Sequence, residues 1–198
     1  MFEACMKESS ATRRNRTGER AMSDETYYRE LIKGLARKMR EEFGLRTARV
    51  TVSDLRRVYR ARNIRIDLWP HKFKALKAAY FNDELGMNVL IPRGVSREWL
   101  VFLLAHALKH HLLDAGTPVT CCMSSDECSA SERSADLFAS ELIYPGNQFE
   151  SDLKEMGIGP GRGSEAALAR LKLATRTTLS HAVLVKRAEL LWATNQVR

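Results

Sequence analysis

The chain has 198 residues, 44% hydrophobic and 28% charged, with a formal net charge of +8. That length supports one large domain, or one domain with an appendage, around a sizeable core. The longest apolar run, Trp99 to Ala105, falls far short of the roughly 20 residues a membrane span needs. Residues 1–23 lack the apolar stretch of a secretory signal, so a cytoplasmic protein with no membrane partner is expected.

Residues 1–22 are polar and basic, with no hydrophobic periodicity, and are expected to be a disordered tail. Ser23 is placed to cap a helix that runs to Phe43 and stops at Gly44. Tyr28, Leu31, Ile32, Leu35, Met39 and Phe43 form its apolar stripe. Thr47 to Thr51 reads as short and extended, and Ser53 as the cap of a second helix through about Ala61. Ile64 to Leu68 alternates as a strand does. Lys77 to Phe81 and Met87 to Ile91 flank a turn with Gly86 near its end, the pattern of a hairpin.

Ser96 then caps a strongly apolar helix carrying His106 and His110. A loop is expected from Ala115 to about Ser124, with Gly116 and Pro118 as breakers. A helix follows over 126–143, stopped by Pro145 and Gly146, and a short helix over about 148–156. The glycine-rich loop 157–163 follows no strand, which argues against a phosphate cradle. Two last helices span roughly 164–174 and 178–192. The expected class is α+β: a small antiparallel or mixed sheet packed on a helical core, with a C-terminal helical pair. The expected organisation is a tail over 1–22, a domain over 23–145, and a helical extension over 146–198 packed on it.

His106 and His110 lie four residues apart, so on a helix both rings leave one face. That spacing suits two imidazole ligands to one zinc ion. The next helix offers Glu132 as a third ligand. Asp136 lies one turn further on the same face, suited to accept the spare ring N–H of one histidine. Zinc proteases read His-Glu-x-x-His, with the Glu as general base; here position 107 is Ala.

Four cysteines, Cys5, Cys121, Cys122 and Cys128, form no disulfide framework. Cys121 and Cys122 fall between the two ligand-bearing helices. They are either reduced loop cysteines or an inhibitory fourth ligand, with Cys122 placed ahead of Cys121. Between Leu45 and Ala75 nine basic residues face two acids, a concentration that includes Arg56, Arg57, Arg60, Arg62 and Arg65. This is either a solvated face or a nucleic-acid-binding surface. Tyr59, Trp69, Phe73 and Tyr80 lie within or near this run, either as stacking platforms, for which single-stranded DNA is the suited nucleic acid, or as buried side chains. Tyr144 is read as packing or an oxyanion donor, and His71 and His181 as structural histidines without visible partners.

The stretch Ala105-His106-Ala107-Leu108-Lys109-His110-His111-Leu112-Leu113, followed by Glu132-Arg133-Ser134-Ala135-Asp136-Leu137-Phe138-Ala139-Ser140-Glu141-Leu142-Ile143-Tyr144-Pro145, resembles the ImmA/IrrE-type metallopeptidases. The resemblance covers about residues 77–145. It implies a zincin-like core and a Zn2+ site of His106, His110 and Glu132. It also implies a helix-turn-helix repressor as substrate, cleaved in a bacterial stress, mobile-element or antiphage response. Ala107 occupies the place of the family's catalytic Glu, so the chain as given is expected to be inactive. Either an engineered change or a natural non-catalytic zinc-containing module that binds DNA or a repressor accounts for it.

Overall fold

A computed structural model describes residues 24–69, 76–84, 86–114, 119–123, 130–161 and 164–196. The expected basic tail lies outside these residues. The first helix, α1 (Asp24–Phe43), buries Ile32, Ala36 and Met39, a stripe at spacings of four and three. Tyr28 and Leu31, expected on that stripe, are exposed, because every residue over 25–31 stands clear of the core. Gly44 ends the helix at φ +64, a left-handed conformation that favours glycine, and the Leu45 N–H closes back on the Arg40 carbonyl.

The second helix, α2 (Val52–Ala61), starts two residues earlier than a Ser53 cap suggests. Thr51 is the cap: its side chain accepts from the Asp54 N–H while the Asp54 carboxylate accepts from the Thr51 N–H. That reciprocal box needs an acid three residues after the cap, which Thr51 has and Ser53 lacks. Leu55, Val58 and Tyr59 face inward, and the Tyr59 hydroxyl donates to the Leu104 carbonyl at 2.7 Å.

Four strands follow in one mixed sheet, β1 (Arg65–Trp69), β2 (Leu76–Asp83), β3 (Gly86–Pro92) and β4 (Val119–Met123), in the order β1-β3-β2-β4. The β2–β3 hairpin is antiparallel, β1 joins β3 in parallel, and β4 pairs antiparallel with β2. β4 corrects the expected loop: residues 119–123 extend because β2 offers them a ladder of hydrogen-bond partners.

Between β3 and β4 runs α3 (Arg97–Leu113), capped by the Ser96 hydroxyl. Residues 101–110 are all buried, so α3 is the central helix, packed against α2, α4 and the sheet. The fourth helix, α4 (Ala130–Ile143), lies between α3 and α1 and buries Ala135, Phe138, Ala139 and Leu142. Its last carbonyls are satisfied from far away in the chain: the Arg40 guanidinium donates to Leu142 and Ile143 at 2.7 and 3.2 Å. α5 (Gly146–Glu155) begins directly after Pro145.

The last two helices are α6 (Ser164–Thr175) and α7 (His181–Gln196). Thr178, expected inside the last helix, instead donates its hydroxyl to the Val50 carbonyl at 2.7 Å. Arg187 on α7 pairs with the buried Glu141 and donates to the Ser140 and Tyr144 carbonyls. One hydrophobic core runs from Ile32 to Ala188, with Leu168, Leu171, Leu179 and Leu184 contributed by the C-terminal helices. The architecture is α+β with a small mixed sheet, and no helix among the described residues is long and apolar enough to cross a membrane.

Candidate metal centre

Because α3 is buried on all sides along 101–110, its two histidines cannot point to solvent. His106 is 4% exposed and His110 0%. Their spacing turns both rings toward the first turn of α4, where Glu132 meets them. The Nε2 atoms of the two rings lie 3.3 Å apart. The Glu132 carboxylate stands 3.3 Å from His106 Nε2 and 3.2 Å from His110 Nε2.

The far side of each ring is fixed. His106 Nδ1 is 2.8 Å from Asp136 Oδ1, and His110 Nδ1 is 2.6 Å from Asp114 Oδ2. A carboxylate can only accept, so each Nδ1 is assigned as the donor and each Nε2 carries its lone pair. Two lone pairs and a carboxylate then converge on one point. Without a cation there, they would repel.

The donor set fits zinc. Tetrahedral coordination at about 2.0–2.1 Å places donor atoms about 3.3–3.4 Å apart, the separation these three groups already have. Two imidazoles and one carboxylate, with an outer carboxylate behind each ring, are a set that could hold such an ion. When no ion is held, a proton on either Nε2 can take its place: burial pushes the Glu132 carboxyl up, but hydrogen bonds and charge from protonated His106 and His110 outweigh it and hold the group at about 2. Burial also raises Asp114, and the His110, Lys109 and Ser131 contacts hold it well below the usual carboxylate range.

The three ligands expected from sequence are thus brought together, and Asp136 stands behind His106 as expected. Asp114 was not anticipated. Its signal was present, since it lies four residues after His110, but it falls at the C-cap of α3, where the helical pattern ends. Lys109 was not anticipated either. It is fully buried, with its ammonium 2.8 Å from both Asp114 Oδ2 and Ser131 Oγ.

No family model matches this chain, and no curated protein matches it.

The other expected site residues are scattered. Ala107 is buried at 0% exposure in the core of α3. Cys121 and Cys122 sit on β4, not in a loop, in register with Ala79 and Ala78; their side chains, and Cys128, lie outside the described residues. Arg56 and Arg60 are exposed on the outer face of α2. Arg57 donates to the Phe43 carbonyl, Arg62 pairs with Glu42 at 2.8 Å, and Arg65 lies on the edge strand β1.

The expected aromatic platforms fail in two places. Tyr59 and Tyr80 are in the core, 1% and 0% exposed, because their rings fill the space between α3 and its neighbours. Phe73 and His71 lie outside the described residues. His181 does have a partner, the Glu165 carbonyl, 3.0 Å from its Nε2. Tyr144 is packing: fully buried, it donates to Asp152, and its phenol is held well above its ordinary range by burial and that carboxylate. A surface groove of about 560 Å³ between α1 and the start of α5, with Arg37, Arg40 and Arg46 in its wall, includes none of the metal donors.

Proposed function

We propose that the chain is a zinc-peptidase domain of the ImmA/IrrE type, with a zincin-like core, that acts on a helix-turn-helix repressor and lacks its general base as given. The observation that carries the reading is the convergence of His106 Nε2, His110 Nε2 and Glu132 at mutual distances of 3.2–3.3 Å, each ring locked from behind by a carboxylate. The two sequence stretches around the donors add the family.

Zinc bound there would polarise a substrate carbonyl and acidify a water molecule. The residues of the chain do the rest. Asp136 and Asp114 hold the two imidazoles in the ligating tautomer. Burial of both rings keeps bulk water from competing for their lone pairs. What is missing is a group to take a proton from water and hand it to the leaving amine. A positioned acid–base group contributes about 10²–10⁴-fold. Asp136 is committed to His106 and Glu141 to Arg187, so neither replaces it.

The test is Ala107→Glu. The variant is expected to cleave a helix-turn-helix partner, whereas the chain as given binds that partner and leaves it whole. A second reading, a natural non-catalytic zinc module that binds DNA or a repressor, is favoured by one observation: Ala107 is already fully packed within the core. Stoichiometric zinc in both proteins, with no cleavage by Ala107→Glu, selects that second reading. A chain that folds but takes up no metal overturns both.

A further inference from the structure

Lys109 lies inside the helix that carries both histidines, between them in sequence, at a position the His-Glu-x-x-His pattern leaves unspecified. Lysine is almost never fully buried unless it is paired, because desolvating an ammonium is costly. Here it is buried completely and all of its donors are used: Asp114 Oδ2 and Ser131 Oγ at 2.8 Å, and the Ser131 carbonyl at 3.3 Å. The same Asp114 oxygen accepts from His110 Nδ1 at 2.6 Å and from Ser131 Oγ at 2.9 Å. One carboxylate oxygen therefore joins the last turn of α3, through Lys109 and His110, to the first turn of α4, through Ser131. Glu132 is the next residue.

We propose that Lys109 is a positioning residue for the metal centre: through Asp114 and Ser131 it fixes the His110 ring and the Glu132-bearing turn of α4 relative to one another. The inference rests on the metal reading above. Two further observations support it. Asp136, behind the other histidine, contacts His106 at 2.8 Å and is 42% exposed, so among the described residues the lysine linkage lies on the His110 side. The charges also close. Three carboxylates (Glu132, Asp114, Asp136), one ammonium and a divalent cation make a neutral cluster. An apolar residue at 109 alone would break the pair and leave Asp114 without its cation, so stability is expected to fall as well; metal-free melts read that loss, and the metal spectrum reads the loss of position.

The experiment uses the full chain and Co2+ alone as the probe, read by visible absorption, with metal-free thermal melts alongside. Lys109→Met is expected to weaken Co2+ binding about ten-fold or more, in the range found when outer-shell partners of a metal ligand are removed. Its d–d bands should also lose the intensity of a four-coordinate site. Ser131→Ala keeps the lysine but cuts one link, and should weaken binding about three-fold in the same direction; it decides the matter if Lys109→Met does not fold. His110→Ala is the control on the underlying reading. If the parent binds Co2+ tightly and His110→Ala does not, yet Lys109→Met (or, if unfolded, Ser131→Ala) keeps the parent's affinity and spectrum, Lys109 is only packing and the inference is overturned. If the parent itself takes no Co2+, or His110→Ala matches it, the metal reading has failed and this inference falls with it.

Discussion

The two outer carboxylates are unequal, and their removal should separate metal affinity from fold stability. Asp136 is 42% exposed on its side chain and holds His106 alone; after Asp136→Asn, water can solvate what is left. Metal affinity should fall about 10-fold, or about 1.4 kcal/mol, while the metal-free protein melts where the parent does. Asp114 is 24% exposed and is the counter-ion of a lysine with no exposure at all. Asp114→Asn removes that counter-charge and strands the ammonium. Breaking a buried pair in this way costs about 3–5 kcal/mol, and the retained amide oxygen argues for the low end, about 3 kcal/mol. For a chain of this size that is roughly 6–12 °C in the metal-free melting temperature. Metal affinity should fall up to about 100-fold, because His110 also loses its anchor. Competition with a chromogenic zinc chelator gives the affinities, and melts in excess chelator give the stabilities. Equal effects at the two positions, or a larger stability loss for Asp136→Asn, would refute the reasoning from burial.

Arg187→Ala should cost about 3–5 kcal/mol in denaturant unfolding, since it leaves Glu141, 9% exposed on its side chain, buried without its cation; a loss under about 1 kcal/mol would mean that α7 is only loosely held. If the outer face of α2 binds single-stranded DNA, affinity for an oligonucleotide should fall steeply with salt, and the Arg56→Glu, Arg60→Glu double variant should abolish it without shifting the melting temperature. Parent protein with no salt-sensitive binding would reduce that face to a solvated surface. In the Ala107→Glu background, Cys→Ser at position 122 or 121 should raise DNA-independent cleavage if that thiol holds the site off. Unchanged activity in both variants would remove the thiol as a gate.

The cluster of His106, His110 and Glu132 was legible because the information is local: four-residue spacings on α3 and α4 put each carboxylate and ring on a shared face. The hairpin was legible for the same reason, its turn lying between two apolar runs. What could not be read is what depends on distant partners. Val119–Met123 is a strand only because β2 lies beside it, and the parallel β1–β3 pairing is not written in either segment. Lys109 looks like any solvated helix lysine until α4 is laid over it. Tyr59 and Tyr80, which sit among arginines in sequence, turn inward in space because their bulk is needed around α3. The α+β class and the grouping of His106, His110 and Glu132 were therefore within reach of the sequence; the second carboxylate and the buried ammonium were not.

The Arg40 contact also has a meaning for the order of assembly. The carbonyls it caps close the C-terminal end of the helix that supplies Glu132, and they lie 102 residues downstream of it. During synthesis, α1 leaves the ribosome long before α4 exists and must wait for it. The stretch that carries the metal residues is thus not a module that can be excised. A fragment beginning at the hairpin would present α4 with its Leu142 and Ile143 carbonyls deprived of Arg40 and its α1-facing side bare. Fusions, truncations or transplants of this centre into another scaffold need the first helix as much as the histidines, although that helix contributes none of the three candidate donors.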